Sequence, residues 1–112
     1  MVDHGADETR AAFAEAVNLG PDELERWLET DESRAVGEDR WDGESKGHAS
    51  GRRIVEILRK SARELDEEDL AHMRKVVGYV RRHRAQGPPK EDPEHSRWRY
   101  SLMNWGCDPL RD

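Results

Sequence analysis

The chain has 112 residues, of which 34% are hydrophobic and 39% are charged, and its formal net charge is −6. This length predicts one compact domain with a small core and a strongly ionised surface. No apolar run is long enough to cross a membrane, and the single Cys107 excludes a disulfide framework and a multi-cysteine zinc site. The acidic start lacks an apolar signal core, so we expect a cytoplasmic protein with no membrane partner.

The charges are unevenly distributed along the chain. Residues 1–45 carry a net charge of −10, residues 46–90 carry +6, and residues 91–112 carry −2. Such an asymmetry favours a negatively charged partner for the basic middle, although the whole chain is acidic. Alternatively, the acidic head folds back and neutralises the basic middle. The sequence leaves both interpretations open.

Residues 1–30 predict an acidic helical head made of two helices. The first runs from about Glu8 to Asn18, with Asp7 as its N-cap. The second begins at Pro21, whose missing N–H is not needed in a first helical turn. Residues 31–50 have no sustained periodicity and carry three glycines, so they predict a long glycine-rich loop.

Residues 50–85 predict a basic antiparallel helical hairpin. The third helix starts near Ser50 and runs to about Glu64. The fourth has Asp66 as its N-cap and acidic residues in its first turn, and it runs to about Ala85. A very short connection joins the two helices. The predicted core faces are Ile54, Val55, Leu58, Ala62 and Leu65 on the third helix and Leu70, Met73, Val76, Val77 and Val80 on the fourth.

The last part of the chain predicts a linker and one further helix. Three prolines in residues 86–95 break any helix there. Residues 96–106 predict an aromatic helix that is capped by Ser96 and ends at Gly106. Its apolar residues lie on two sides, so we expect it to be wedged between other elements. The predicted fold class is therefore all-α, a compact single-domain bundle of about five helices centred on the helical hairpin.

The stretch GESKGHASGRR spaces its glycines as phosphate-binding loops do, but it fails as a nucleotide motif. Gly47 and Gly51 are one residue too close, Arg52 replaces the lysine, and no strand precedes them. What remains is a helix start capped by Ser50, with Arg52 and Arg53 opposing the helix dipole. A nearby anion would stabilise these arginines. That anion is either a phosphate or an acidic residue of the head.

Cationic side chains on the outer faces of the third and fourth helices predict a nucleic-acid surface. Contacts would be mainly to phosphates, with a steep salt dependence and little sequence preference. Gly78 would let a backbone approach the fourth helix closely. The predicted DNA-binding residues are Lys46, Arg52, Arg53, Arg59, Arg63, Arg74, Lys75, Arg81 and Arg82. The alternative partner is a protein, such as a second copy whose acidic head meets the basic hairpin.

Signs of catalysis are weak, and we predict no enzymatic activity, cofactor or metal. His72 and His83 lie eleven residues apart, and no H-x-x-x-H or E-x-x-H pattern occurs. Cys107, between Gly106 and Asp108, is interpreted as a loop residue near the core. An unrecognised enzyme would need a pocket of converging polar groups.

Four stretches carry a resemblance to a known family: WLETDES, GHASGRRIVEIL, HMRKVVGYVRRH and WRYSLMNWGCDP. From Val17 onward the chain resembles the family catalogued as domain of unknown function 3140, found in actinobacteria and in some fungi. Some members carry the label DNA-binding protein, so the resemblance implies a nucleic-acid partner. It implies no catalytic residue. The family often has histidine at the position of Cys107, which argues against a required thiol.

Overall fold

The computed structural model describes residues 4–36 and 46–111, and this part of the chain folds as an all-α bundle. The α-helices are α1 (His4–Ala16), α2 (Pro21–Leu28), α3 (Asp31–Ala35), α4 (Lys46–Leu58), α5 (Glu67–Ala85) and α6 (Arg97–Asn104). Two short 3-10 turns, Ala62–Glu64 and Pro93–His95, precede α5 and α6. The predicted fold class is confirmed. None of the helices in these ranges combines the length and the apolar character that a membrane crossing requires.

The packing is organised around α6. The most extensive helix pairs are α1 with α5 and α2 with α4, whereas α4 and α5 make a smaller contact with each other. Helix α6 touches α2, α3, α4 and α5, so its predicted wedged position is confirmed. Its residue Leu102 is buried, and so is Trp105, which directly follows the last residue of the helix. Because α6 contacts both pairs, it joins them into one core.

The buried face of α5 follows the predicted helical spacing. All five of its predicted core residues are buried: Leu70, Met73, Val76, Val77 and Val80. On α4, Ile54 and Val55 are buried as predicted, and Ile57 joins them. The prediction that the same helix continues to Glu64 is wrong because α4 ends at Leu58. A separate 3-10 turn follows, in which the Ser61 N–H donates to Glu64 Oε1 at 2.8 Å. Ala62, a predicted core residue, is exposed in this turn.

Helix α1 begins at His4, earlier than the predicted Glu8. Asp7 therefore lies in the first turn and is not the N-cap. Its negative charge there interacts favourably with the positive end of the helix dipole. Gly20 caps the start of α2, and its N–H donates to Glu23 Oε1 at 3.1 Å. A carboxylate at this position satisfies an amide that the helix leaves without a partner.

The predicted loop over residues 31–50 is wrong at both ends. Helix α3 occupies its first five residues, and α4 begins at Lys46, while residues 37–45 lie outside the described residues. Thr30 is the N-cap of α3, and its Oγ1 accepts from the Ser33 N–H at 3.1 Å. A five-residue helix is too short for hydrophobic periodicity to appear in the sequence.

Two glycines one turn apart bring α4 against α6. A Cβ atom on Gly51 would lie 2.6 Å from the Asn104 carbonyl oxygen and 2.6 Å from Leu28 Cδ2. A Cβ atom on Gly47 would lie 3.2 Å from Trp105 Nε1. The glycine spacing therefore serves close helix packing, and Ser50 lies within α4 and is not its N-cap.

Candidate nucleic-acid interface

The exposed face of α5 carries a row of cations. The row consists of Arg74, Lys75, Arg81 and Arg82 and is called the α5 stripe below; all four are exposed. Their spacing of one residue, then six, then one places them on the same side of a helix, around Gly78. From Ala71 to Ala85 the helix carries no carboxylate, because its acidic residues are confined to the first turn. The structure therefore brings these four predicted contact residues together.

Helix stability explains only part of this charge pattern. Asp66 caps α5 through the Asp69 N–H at 2.8 Å, and carboxylates in the first turn complement the positive end of the dipole. Arg82 in the last turn complements the negative end. Arg74 and Lys75 lie in the middle of the helix, where the dipole favours neither charge. The dipole therefore does not account for these two cations.

The α5 stripe has no ionic partner within residues 4–36 and 46–111. Its only polar contact there is a long one, from Arg74 Nη1 to Thr9 Oγ1 at 3.5 Å. The carboxylates of Glu8 and Glu15 on α1 line the surface grooves next to Arg74 and Arg81. The α5 stripe is thus bordered by negative charge on its α1 side without being neutralised by an ion pair.

Arg53 on α4 is bound to a carboxylate of its own chain. Its Nη2 lies 2.9 Å from Asp69 Oδ1, and Lys60 Nζ lies 2.7 Å from Asp69 Oδ2. The Asp69 side chain is 1% exposed. Hydrogen bonds from Lys60, from the Asp66 N–H and from Arg53 outweigh its burial and lower the pKa of Asp69 to about 2. Asp69 is thus one anion that Arg53 faces.

Arg59 binds the acidic head. Its guanidinium lies 2.9 Å from Asp22 and 3.2 Å from Glu25, both on α2. The predicted fold-back of the head onto the basic middle therefore occurs at this position. Arg63 lies exposed in the 3-10 turn beyond α4, so the prediction that it belongs to the same helix as Arg52 and Arg59 is not met.

Two further predicted contact residues lie in the first half of α4. Lys46 is the first residue of the helix, and its side chain lies outside the described part of the structure. Arg52 is six residues further on, so the prediction that Arg52 and Arg53 oppose the dipole in the first turn is wrong. Arg52 is exposed and lines a groove.

This groove lies between α4 and α5 and has a volume of about 480 Å³. It is called the α4–α5 groove below, and its lining residues are Ala49, Ser50, Arg52, Arg53, Glu56, His72, Lys75 and Trp105. At its wall, Ser50 Oγ lies 2.9 Å from His72 Nε2. Ser50 and His72 are 22 residues apart and on different helices, so no local sequence pattern could reveal this pair.

A stack of four rings stands beside the groove. Trp105 stacks with His72 and with Tyr79, at centroid distances of 6.3 and 4.2 Å, and Tyr79 stacks with His83 at 5.0 Å. The neighbouring planes differ by 11° to 15°. Burial lowers the pKa of both histidines, so the neutral imidazole is favoured at each position.

Neither metal binding nor thiol chemistry finds support in the described ranges. They contain no group of three or more His, Cys, Asp or Glu side chains that could hold a metal ion. Cys107 is fully buried, and that burial raises its pKa, although Arg84 Nη1 lies 3.6 Å from its Sγ. A buried protonated thiol is a poor nucleophile.

Comparison with protein-family models matches residues 12–103 to the family described as "Protein of unknown function (DUF3140)". The chain belongs to this family. The match begins within α1 and ends within α6, so the DUF3140 region contains the α5 stripe and every lining residue of the α4–α5 groove except Trp105. The family resemblance of the sequence is thereby confirmed. No curated protein and no solved structure matches the chain.

Proposed function

We propose that this protein binds DNA through the α5 stripe, with contacts mainly to phosphates. The observation that supports this proposal is an exposed row of four cations without an ion-pair partner in the described residues. Such a row attracts a polyanion because each bound phosphate releases condensed counterions from the duplex. We place this binding in the cytoplasm, in line with the prediction from the sequence.

The dimensions of the α5 stripe suit a nucleic-acid duplex. Arg74 and Arg82 are eight residues apart, which corresponds to roughly 12 Å along a helix. One strand of B-DNA carries a phosphate about every 3.4 Å along the duplex axis, so the α5 stripe spans roughly four phosphates. Among the described residues, the Arg82 guanidinium alone lies near the position of a Cβ on Gly78, between the two cationic pairs, at 3.1 Å. A phosphate backbone could therefore approach α5 closely at this point.

The arginines of α4 contribute less to the proposed surface. Arg53 and Arg59 bind carboxylates of the same chain, which offset part of the positive charge that each presents to a phosphate. The pairing of Arg59 with α2 also lowers the support for a homodimer in which the head of one chain meets the hairpin of another. Light scattering that shows a monomer at low and high salt would agree with DNA as the partner.

The test is fluorescence anisotropy of a labelled duplex over a range of salt concentrations. Four phosphate contacts predict a slope of log affinity against log salt of roughly −3 to −4. Arg81→Ala with Arg82→Ala is expected to weaken binding and to reduce that slope by about 2 units. The control, Arg26→Ala with Arg34→Ala, removes the same charge from exposed positions on α2 and α3.

Two outcomes would overturn the proposal. One is the absence of binding at low salt. The other is an equal loss of affinity in both double variants, since only the overall charge would then matter. An unlabelled duplex of unrelated sequence should compete nearly as well as the same sequence, because phosphate contacts carry no sequence information.

A further inference from the structure

We propose that the α4–α5 groove is a second binding site, specific for a small phosphate monoester. It is separate from the DNA-binding proposal and does not rest on it, although Lys75 belongs to both surfaces. The groove volume of about 480 Å³ falls within the range of roughly 300–1,000 Å³ that is typical of small-molecule sites. Its wall comes from two helices and from Trp105, so it is assembled by the tertiary fold and not by one helix end.

The charges of the groove favour an anion. Arg52, Arg53 and Lys75 line it, and Glu56 is the carboxylate among its lining residues. Arg53 reaches Asp69 through Nη2, and its side chain is still 37% exposed. A guanidinium has five N–H donors, so Arg53 retains donors for a ligand while Asp69 holds it in place. Arg52 and Lys75 are both exposed at the groove surface.

His72 lines the groove, and its pKa depends on the charges nearby. Burial is the largest cause that lowers its pKa, and the positive charges of Arg53 and Lys75 lower it further, against smaller opposing effects of a hydrogen bond with Ser50 and of the Asp69 charge. A site that disfavours a proton because of nearby cations favours an anion for the same reason. The Ser50 hydroxyl, 2.9 Å from His72 Nε2, adds a neutral hydrogen-bonding group to the wall.

The mixture of groups points to a phosphate that carries a small organic substituent. Phosphate oxygens accept hydrogen bonds from guanidinium, ammonium and hydroxyl groups, and two arginines suit this geometry better than lysine alone. Trp105 and Ala49 supply the apolar part of the lining. The volume of the groove suits a small molecule, and we therefore assign a small phosphate monoester as its ligand.

The experiment follows the His72 ring resonances by NMR while inorganic phosphate, and then glycerol 3-phosphate, is added to the full chain. His72→Gln assigns the signals among the five histidines. Phosphate is expected to shift the His72 signals saturably and to raise the pKa of His72, because a bound anion stabilises the imidazolium. The monoester is expected to bind more tightly than inorganic phosphate.

Arg52→Ala is the decisive variant, and it should weaken phosphate binding about tenfold. Arg81→Ala with Arg82→Ala lies outside the groove and should leave phosphate binding unchanged while it weakens DNA binding. Lys75→Ala provides a second groove variant, and circular dichroism checks the fold of each. If His72 does not respond to phosphate, or if the Arg81 and Arg82 variant loses phosphate binding as much as Arg52→Ala does, the site is overturned.

Discussion

At the scale of single residues, Gly51 and Gly78 are both helical glycines, but they have opposite surroundings. A methyl group at position 51 would collide with a backbone oxygen and a Leu28 methyl group, each 2.6 Å away. At position 78 it would approach the flexible end of Arg82, at 3.1 Å, and no other atom of residues 4–36 and 46–111. The first glycine is required by packing. The second is exchangeable as far as stability is concerned.

Gly51→Ala should therefore lower the free energy of unfolding by roughly 1–3 kcal/mol or more, because α4 and α6 would have to separate. Gly78→Ala should raise it by up to about 1 kcal/mol, because alanine favours the helix. Urea denaturation followed by circular dichroism measures both. Equal effects of the two substitutions would contradict the assigned role of Gly51.

At the scale of secondary structure elements, Asp69 ties the end of α4 to the start of α5. Its carboxylate binds Arg53 and Lys60 and also accepts from the Asp66 N–H at 3.2 Å. The pKa of Asp69 in the folded protein is about 2, below its ordinary value of 3.8. The unfolded chain therefore takes up this proton first as the pH falls. The stabilisation is present above about pH 4 and is lost towards pH 2.

Asp69→Asn should cost about 2 kcal/mol of stability at neutral pH, the equivalent of this pKa difference. The difference from wild type should shrink as the pH falls from about 5 to about 2, because both proteins then lack the charge. Glu67→Gln, an exposed substitution in the same turn, is the control and should change stability by less than about 0.5 kcal/mol. If the loss of stability in Asp69→Asn does not change with pH, the link between the charge of Asp69 and stability is contradicted.

The helices differ in how far the sequence predicts them. The start of α5 was predictable because Asp66 and the acidic first turn are local signals. Its core face follows from the helical period of its apolar residues. Helix α3 was not predictable, because its partner Asn104 lies 71 residues away from Ser33 in the chain. Ser33 Oγ donates to Asn104 Oδ1, and Asn104 Nδ2 donates to the Ser33 carbonyl at 3.0 Å. Trp27 Nε1 donates to the same Oδ1 at 2.7 Å.

The candidate sites also differ in how far the sequence predicts them. The α5 stripe could be predicted because its residues follow one helical period on an element with clear ends. The partners of Arg53 and Arg59 could not, because Asp69 and Asp22 lie 16 and 37 residues away in the chain. The α4–α5 groove depends on where α6 places Trp105, which only tertiary packing decides.

At the scale of the whole molecule, negative and positive surfaces lie side by side. Helix α1 packs along α5 and places Glu8 and Glu15 next to Arg74 and Arg81. A molecule with a net charge of −6 can still attract DNA locally, because exposed charges beyond about 10 Å are screened at moderate salt. The nearest carboxylates then have the largest effect on binding.

Glu8→Gln with Glu15→Gln should therefore raise the affinity for DNA roughly threefold at low salt, and less at high salt. The control is Glu29→Gln with Glu32→Gln, which changes the net charge equally at exposed positions just after α2 and on α3. Anisotropy titrations compare the two. An equal gain in both variants would show that net charge, and not its location, governs binding.

The contact at Gly51 also has an evolutionary consequence. A smaller residue at position 28 could relieve one of the two close approaches, but the other involves the backbone carbonyl of Asn104, which every amino acid carries. No compensating mutation elsewhere can remove that oxygen. We therefore expect glycine to be retained at position 51 as long as α4 and α6 pack in this way. A homologue without this glycine would need a different contact between the two helices.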